Sequence, residues 1–217
     1  MIKYLGSKRL RVPVLGRIAE ASGSRTALDL FTGTTRVAQE FKRHGLDVTA
    51  VDVATYAEVL GGCYIGTDAD TLSRDELADA LDRLNRLKGH RGYVTRTFCE
   101  QSRYFRPENG RRIDAVREAI EDHAGTPLHP VLLTSLLLAA DRVDSTTGLQ
   151  MAYLKQWSPR SAQPLTLVEP ALLPGPGRAV RGDATSLVDE LPAVDLAYLD
   201  PPYNQHRYFT NYHVWET

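Results

Sequence analysis

Residues Arg25 to Val53 read RTALDLFTGTTRVAQEFKRHGLDVTAVDV, and these 29 residues decide the fold class. The segment RTALDLF is a short apolar run carrying Asp29, and it passes into the turn-rich FTGTT. Val37, Ala38 and Phe41 then recur at helical spacing. His44 and Gly45 end that helix, and LDVTAVDV, from Leu46 to Val53, is β-branched and closes on Asp52. Strand, helix and strand in so short a span predict a right-handed parallel unit of a doubly wound α/β sheet.

Outward from this unit the pattern changes. From about Tyr56 to Leu173 the segments are mainly helical: Ser73 and Glu76 form a capping box ahead of a stripe of Leu77, Leu81, Leu84 and Leu87. The nearby Asp68, Asp70, Asp75, Asp79 and Asp82 read as a solvated face, not a metal site. RPENG, Arg106 to Gly110, reads as a turn before a helix marked by Ile113, Val116 and Ile120. A third helix over Pro130 to Arg142 is apolar nearly all round, which predicts burial. Pro170, Pro174, Gly175, Pro176 and Gly177 punctuate the chain like a linker, after which AVDLAYL, Ala193 to Leu199, reads as a strand. The expected organisation is residues 1–55 as the first part of the sheet domain, 56–173 as a helical insertion and 174–217 as the second part.

Composition narrows the class. A chain of 217 residues with 42% hydrophobic and 24% charged residues fits one globular domain with an inserted lobe. The formal net charge is -1, so any nucleic-acid-binding face has to be local. Cys63 and Cys99 have neither disulfide-framework nor thiolate-metal spacing, and no metal is expected. The apolar stretch from Val131 to Ala140 is shorter than the ~20 residues a bilayer helix needs. The basic N-terminus lacks the apolar segment of a secretory signal. A soluble, cytoplasmic protein is expected.

Two features carry chemistry. An acid and a tight loop after one strand, with a second acid ending the next, can hold an adenosine-containing cofactor whose ribose hydroxyls meet that second acid. Here these are Asp29, Gly33 and Asp52, and the same acids can equally serve as strand caps. FTGTT lacks the three glycines of a pyrophosphate loop, so a cofactor without phosphates fits better. The second feature is Asp200, Pro201, Pro202 and Tyr203, directly after the last strand. Two prolines fix the backbone and remove two N–H donors, leaving acceptors. The Asp200 carboxylate and the Pro201 carbonyl can each take one proton of an exocyclic amine while Tyr203 stacks on its base. The alternative is a rigid strand-exit turn with a surface tyrosine.

With KYLGSKR at Lys3 to Arg9, DLFTGTT at Asp29 to Thr35, AVDV at Ala50 to Val53, GDA at Gly182 to Ala184 and DPPY at Asp200 to Tyr203, the sequence resembles the D12-class DNA adenine-N6 methyltransferases. The resemblance implies a Rossmann-like methyltransferase sheet with a helical target-recognition lobe, S-adenosyl-L-methionine as cofactor and double-stranded DNA as partner. It implies that Tyr4 and Lys8 line the cofactor and target-base pockets, with Asp29, Phe31 and Gly33 forming the cofactor loop. Asp52 would hold the ribose, Asp183 the cofactor's adenine amine, and Asp200 would face both the sulfonium methyl and the target N6. Family members usually carry a second glycine where this chain has Thr35. The implied reaction flips the adenine out of the duplex. Glutamine methyltransferases typically begin the tetrapeptide with asparagine, so Asp200 points to a nucleobase.

Between Arg91 and Arg117 seven arginines stand against three carboxylates. Arg96, Arg103, Arg111 and Arg112 are the candidate phosphate contacts, and Thr146, Thr147, Gly148, Gln150 and Lys155 lie in a polar segment suited to reading base edges. The strand ending at Leu199 is expected to leave an apolar edge, which predicts a truncated or split form that needs a complementing chain. The rival reading is a non-catalytic cofactor- or DNA-binding module.

Overall fold

The computed structural model describes residues 8, 10–187, 189–202 and 208–217. In chain order the elements are α1 (Val12–Ala21), β1 (Thr26–Leu30), α2 (Arg36–Arg43), β2 (Asp47–Asp52), α3 (Thr55–Gly61), α4 (Arg74–Arg86), α5 (Pro107–Ile120), α6 (Leu128–Val143), β3 (Gly177–Arg181), α7 (Ala184–Leu187), β4 (Leu196–Leu199) and α8 (Tyr208–Tyr212). Short π-helical turns occupy Gly62–Gly66 and Thr95–Glu100. The described residues divide into two compact units, a sheet unit from 8 to 72 and 171 to 202, and a helical unit from 73 to 170 and 208 to 217.

In the sheet unit four strands lie in the order β3-β2-β1-β4, every pair parallel. Period-two alternation splits their side chains between two apolar layers, as a doubly wound sheet requires. Ala27, Val48 and Ala50 join Ala19, Val37, Ala38 and Phe41 in one layer, while Leu30 and Val51 join Ala184 in the other. The chain runs from β1 through β2 to β3 on one side and places β4 on the other, so strand order reverses beside β1. That reversal opens the crevice where such sheets bind ligands, outside the carboxyl ends of the strands. Asp195 fixes β4 against β1: one carboxylate oxygen accepts from the N–H groups of Arg25 and Thr26 and from the Thr26 hydroxyl, at 2.9, 3.0 and 3.0 Å. The resulting register sets Leu199 beside Leu30 and delivers Asp200 next to the β1 loop.

Residues 56–72, expected in the helical insertion, pack instead with the sheet. A methyl group built on Gly61 would lie 2.8 Å from the Ala179 Cβ, so α3 rests directly on β3. The buried Lys42 ammonium donates to the carbonyls of Ile65 and Thr67 at 2.7 and 2.8 Å, tying the following turn to α2. The helical unit therefore begins at Ser73, whose hydroxyl accepts the Glu76 N–H at 3.3 Å as the capping box predicts. RPENG is not a separate turn: Pro107 occupies the first turn of α5, where its missing N–H costs nothing. Asp114 faces inward and accepts from the N–H groups of Gly92, Val94 and Thr95 at 2.9, 2.8 and 2.9 Å. Residues 208–217, expected with the sheet, belong to the helical unit, where Gln150 donates its N–H to the Asn211 carbonyl at 3.0 Å. Among the described residues no helix is long and apolar enough to cross a membrane, and no cluster of metal-ligating side chains occurs.

Candidate active site

Because all four strands are parallel, everything that follows a strand emerges at the same edge. Phe31 and Gly33 follow β1, Asp52 ends β2, Asp183 follows β3 and Asp200 follows β4. The loop after β1 is tightly wound: Phe31, Gly33 and Thr35 have φ of 74, 52 and 60°, in the left-handed region. Phe31 and Thr32 both donate their N–H to the Val51 carbonyl, at 3.0 and 2.9 Å. Asp52 joins the two strand ends, accepting the Gly33 N–H at 2.8 Å on one oxygen and the Ala54 N–H at 3.0 Å on the other. A carboxylate is an acceptor with about four positions, which suits it to hydroxyl protons as well as to N–H donors.

Asp29 lies beneath this loop. It is 1% exposed, and one oxygen accepts from the Thr32 hydroxyl at 2.8 Å and the Ala38 N–H at 3.1 Å. Burial raises its carboxyl to about 7 against the pull of those two hydrogen bonds, and the negative charges of Asp52 and Asp200 add to the rise. Asp29 thus organises the loop from below and senses both other acids. Thr32 was not foreseen as its partner, although acid and hydroxyl three residues apart in a turn are a local signal. Thr35 is a β-branched residue in the left-handed region, a strain of about 1–2 kcal/mol. Its hydroxyl accepts from the Gln39 amide at 2.8 Å, a bond a glycine there could not make. Asp183 is exposed and accepts the Thr185 hydroxyl and, at 2.8 Å, the Thr185 N–H at the start of α7, which together hold its carboxyl below the usual range. At Asp200 the Lys8 ammonium lies 2.7 Å from the carboxylate. Pro201 and Pro202 are exposed. Tyr203 and Tyr4 lie outside the described residues.

Three carboxylates at one edge, with the loop N–H groups of Phe31 and Thr32 taken by the Val51 carbonyl and that of Gly33 by Asp52, suit a cation bearing hydroxyls and not a phosphate. Residues 4–217 match the family described as D12 class N6 adenine-specific DNA methyltransferase. The chain belongs to that family. It is 34% identical over 230 residues to the type II methyltransferase M.NlaIII of Neisseria lactamica, covering 98% of this chain and 67% of that protein. It is 30% identical over 227 residues to the type II methyltransferase M.CviAII of Paramecium bursaria Chlorella virus 1, covering 98% and 67%. It is 29% identical over 234 residues to the modification methylase StsI of Streptococcus sanguinis, covering 99% of this chain and 36% of that one. The chain thus spans about two thirds of the first two relatives and about a third of the third. No solved structure shows a significant match. Enzymes of the D12 class use S-adenosylmethionine to methylate adenine N6 in DNA, as the sequence motifs imply.

In this D12-class chain the helical unit holds the arginines singled out for DNA. Arg96, Arg103, Arg111 and Lys155 are exposed, with Arg103 donating to the Lys155 carbonyl. Arg112 is placed differently: it donates to the carbonyls of Asn85 and Leu84, at 3.0 and 3.4 Å, and of Leu87, so it caps the end of α4. Arg91 is paired with Glu100 and Arg117 with Glu121. In the polar segment an isolated bridge joins Thr146 to Tyr153, and Arg160 pairs with the buried Asp144 below it. Thr147 is exposed, whereas Thr146 and Gln150 are buried, the Gln150 amide oxygen accepting the Val214 N–H at 2.9 Å.

Proposed function

We propose that this chain methylates N6 of adenine within a defined DNA sequence, as the modification partner of a cytoplasmic restriction-modification pair. The observation that carries the reading is the common edge: β2, β1 and β4 lie side by side and parallel, so Asp52, Gly33 and Asp200 emerge next to one another. In this reading Asp52 accepts the ribose hydroxyl protons, and Gly33 leaves room for the methionine portion. Asp183 accepts the cofactor's adenine amine through the oxygen not bonded to Thr185. When bound, S-adenosylmethionine supplies an electrophilic methyl group on a sulfonium.

The chain's own part is to orient the nucleophile. Asp200 and the Pro201 carbonyl accept the two amine protons of the target base, which draws the nitrogen lone pair out of conjugation and aims it along the edge. A carboxylate is far too weak a base to deprotonate a neutral amine, so N6 loses its proton after methylation has acidified it. Extruding the base costs a few kcal/mol, and stacking by Tyr203 offsets about 1–3 kcal/mol of that. In this proposal Arg96, Arg103 and Arg111 contact phosphates and Lys155 belongs to the segment that reads base edges, while Lys8 stays on Asp200 at the sheet edge and Arg112 supports the lobe from inside. A further strand from a complementing segment or chain belongs to the same reading, because among the described residues β4 is an edge of the sheet and Leu199 is exposed.

Methyl-labelled S-adenosylmethionine, mixed-sequence duplex DNA and nuclease digestion test the proposal. Label is expected in N6-methyladenine, and Asp200→Ala is expected to lower it at least about 100-fold. DNA binding without incorporation would instead support the non-catalytic module, and label in another base or in protein would overturn the substrate.

A further inference from the structure

Lys8 is anchored at both ends. Its carbonyl accepts the N–H groups of Arg11 and Val12, at 2.7 and 3.0 Å, which fixes its backbone to the start of α1. Its ammonium lies 2.7 Å from Asp200, with the two side chains only 15% and 28% exposed. Partial burial leaves this pair less screened than a surface ion pair. Acid and base meet around this pair: the Tyr198 phenol on β4 is raised by burial and by Asp200 and Asp29, against Lys8 and Arg11, and Asp29, raised chiefly by burial, is raised further by Asp52 and Asp200. A ligand cation arriving at Asp200 therefore meets Lys8 there.

We propose that Lys8 and the cofactor's sulfonium compete for the Asp200 carboxylate, so that Lys8 sets how strongly the site prefers the charged methyl donor over its neutral product. The inference rests on reading this edge as the cofactor site. S-adenosylmethionine and S-adenosylhomocysteine share the adenosine and amino-acid portions and differ by one methyl group and one positive charge. The sulfonium either pays repulsion from Lys8 or pays to displace it; the thioether pays neither. Both cases have the same sign: the Lys8 cation lowers affinity for the donor relative to the product. After transfer neutralises the sulfur, the ammonium again becomes the counter-ion of Asp200.

The test is calorimetric binding of both compounds to wild type, Lys8→Met, Lys8→Gln and Lys8→Arg. The ratio of donor Kd to product Kd is expected to fall about fivefold or more in the two neutral variants, equivalent to about 1 kcal/mol, and to stay near wild type in Lys8→Arg. Using a ratio cancels any general loosening of the site, and Lys8→Gln serves if Lys8→Met folds poorly. An unchanged ratio in neutral variants that still bind the product would overturn the competition. Failure of wild type to bind either compound would instead overturn the assignment of the edge as the cofactor site.

Discussion

Asp29 is 1% exposed with its carboxyl raised from 3.8 to about 7, so its proton is held by burial at a pH where an ordinary aspartate has lost it. The folded state binds this proton more tightly than the unfolded chain. The resulting stability is fully present below about 3.8 and is lost progressively as pH rises towards about 7. Asn keeps an oxygen for Thr32 and Ala38 and carries no charge to bury. The gain in melting temperature on Asp29→Asn is therefore expected to be larger at pH 8 than at pH 4, by about 5 °C or more. Thermal melts at the two pH values check this, and a pH-independent difference would contradict it. The sequence showed Asp29 as a strand-end acid but left open whether it faced a ligand or the fold. Its burial depends on α2 closing over the loop, a tertiary fact that spacing does not encode.

At the scale of elements, close packing decides. A methyl group built on Gly110 would overlap the Cys99 sulfur and lie 3.4 Å from the Thr95 Cα, so α5 and the turn at Thr95–Glu100 meet only because Gly110 lacks a side chain. Gly110→Ala is expected to cost about 2 kcal/mol in urea unfolding, with Cys99→Ala recovering a large part of it in the double variant. Simple additivity of the two substitutions would contradict the contact. The elements themselves were largely legible: Thr26–Leu30 and Asp47–Asp52 fall within the expected runs, and α4 starts at its expected cap. Apolar spacing is a local property and survives in the sequence. The RPENG segment misled because Pro and Gly mark both turns and first helical turns, and α1 was missed although Pro13 stands in its first turn and Gly23 just past its end, because its N-cap Arg11 supplies no capping side chain. The Asp195 clamp on Thr26 joins residues 169 positions apart, beyond any local pattern.

For the whole molecule, the two units divide the labour proposed for them, sheet edge for chemistry and helical lobe for DNA. The outline was readable, since the motifs sit at strand ends wherever in the chain those strands occur. The boundaries were not, because the attachment of residues 56–72 to β3 and of 208–217 to the helical unit rests on contacts between distant segments. The same distinction separates two kinds of arginine. Replacing Arg96, Arg103 and Arg111 together by Ala is expected to lower the slope of log affinity against log salt by about 3 for duplex DNA, with little change in stability. Arg112→Ala is expected to leave the slope unchanged and to destabilise the fold, because three carbonyls at the end of α4 lose their donor. Salt-titrated binding with parallel melts checks both, and a salt slope carried by Arg112 alone would contradict the division.

The most direct measurement is a crystal structure of the chain with S-adenosylmethionine. The expected result places the ribose on Asp52, the methionine portion along Gly33 and the sulfonium methyl facing Asp200, with room of about 3–3.5 Å for an incoming nitrogen. A cofactor bound elsewhere, or Asp52 and Asp200 opening onto separate surfaces with no shared hollow, would contradict it.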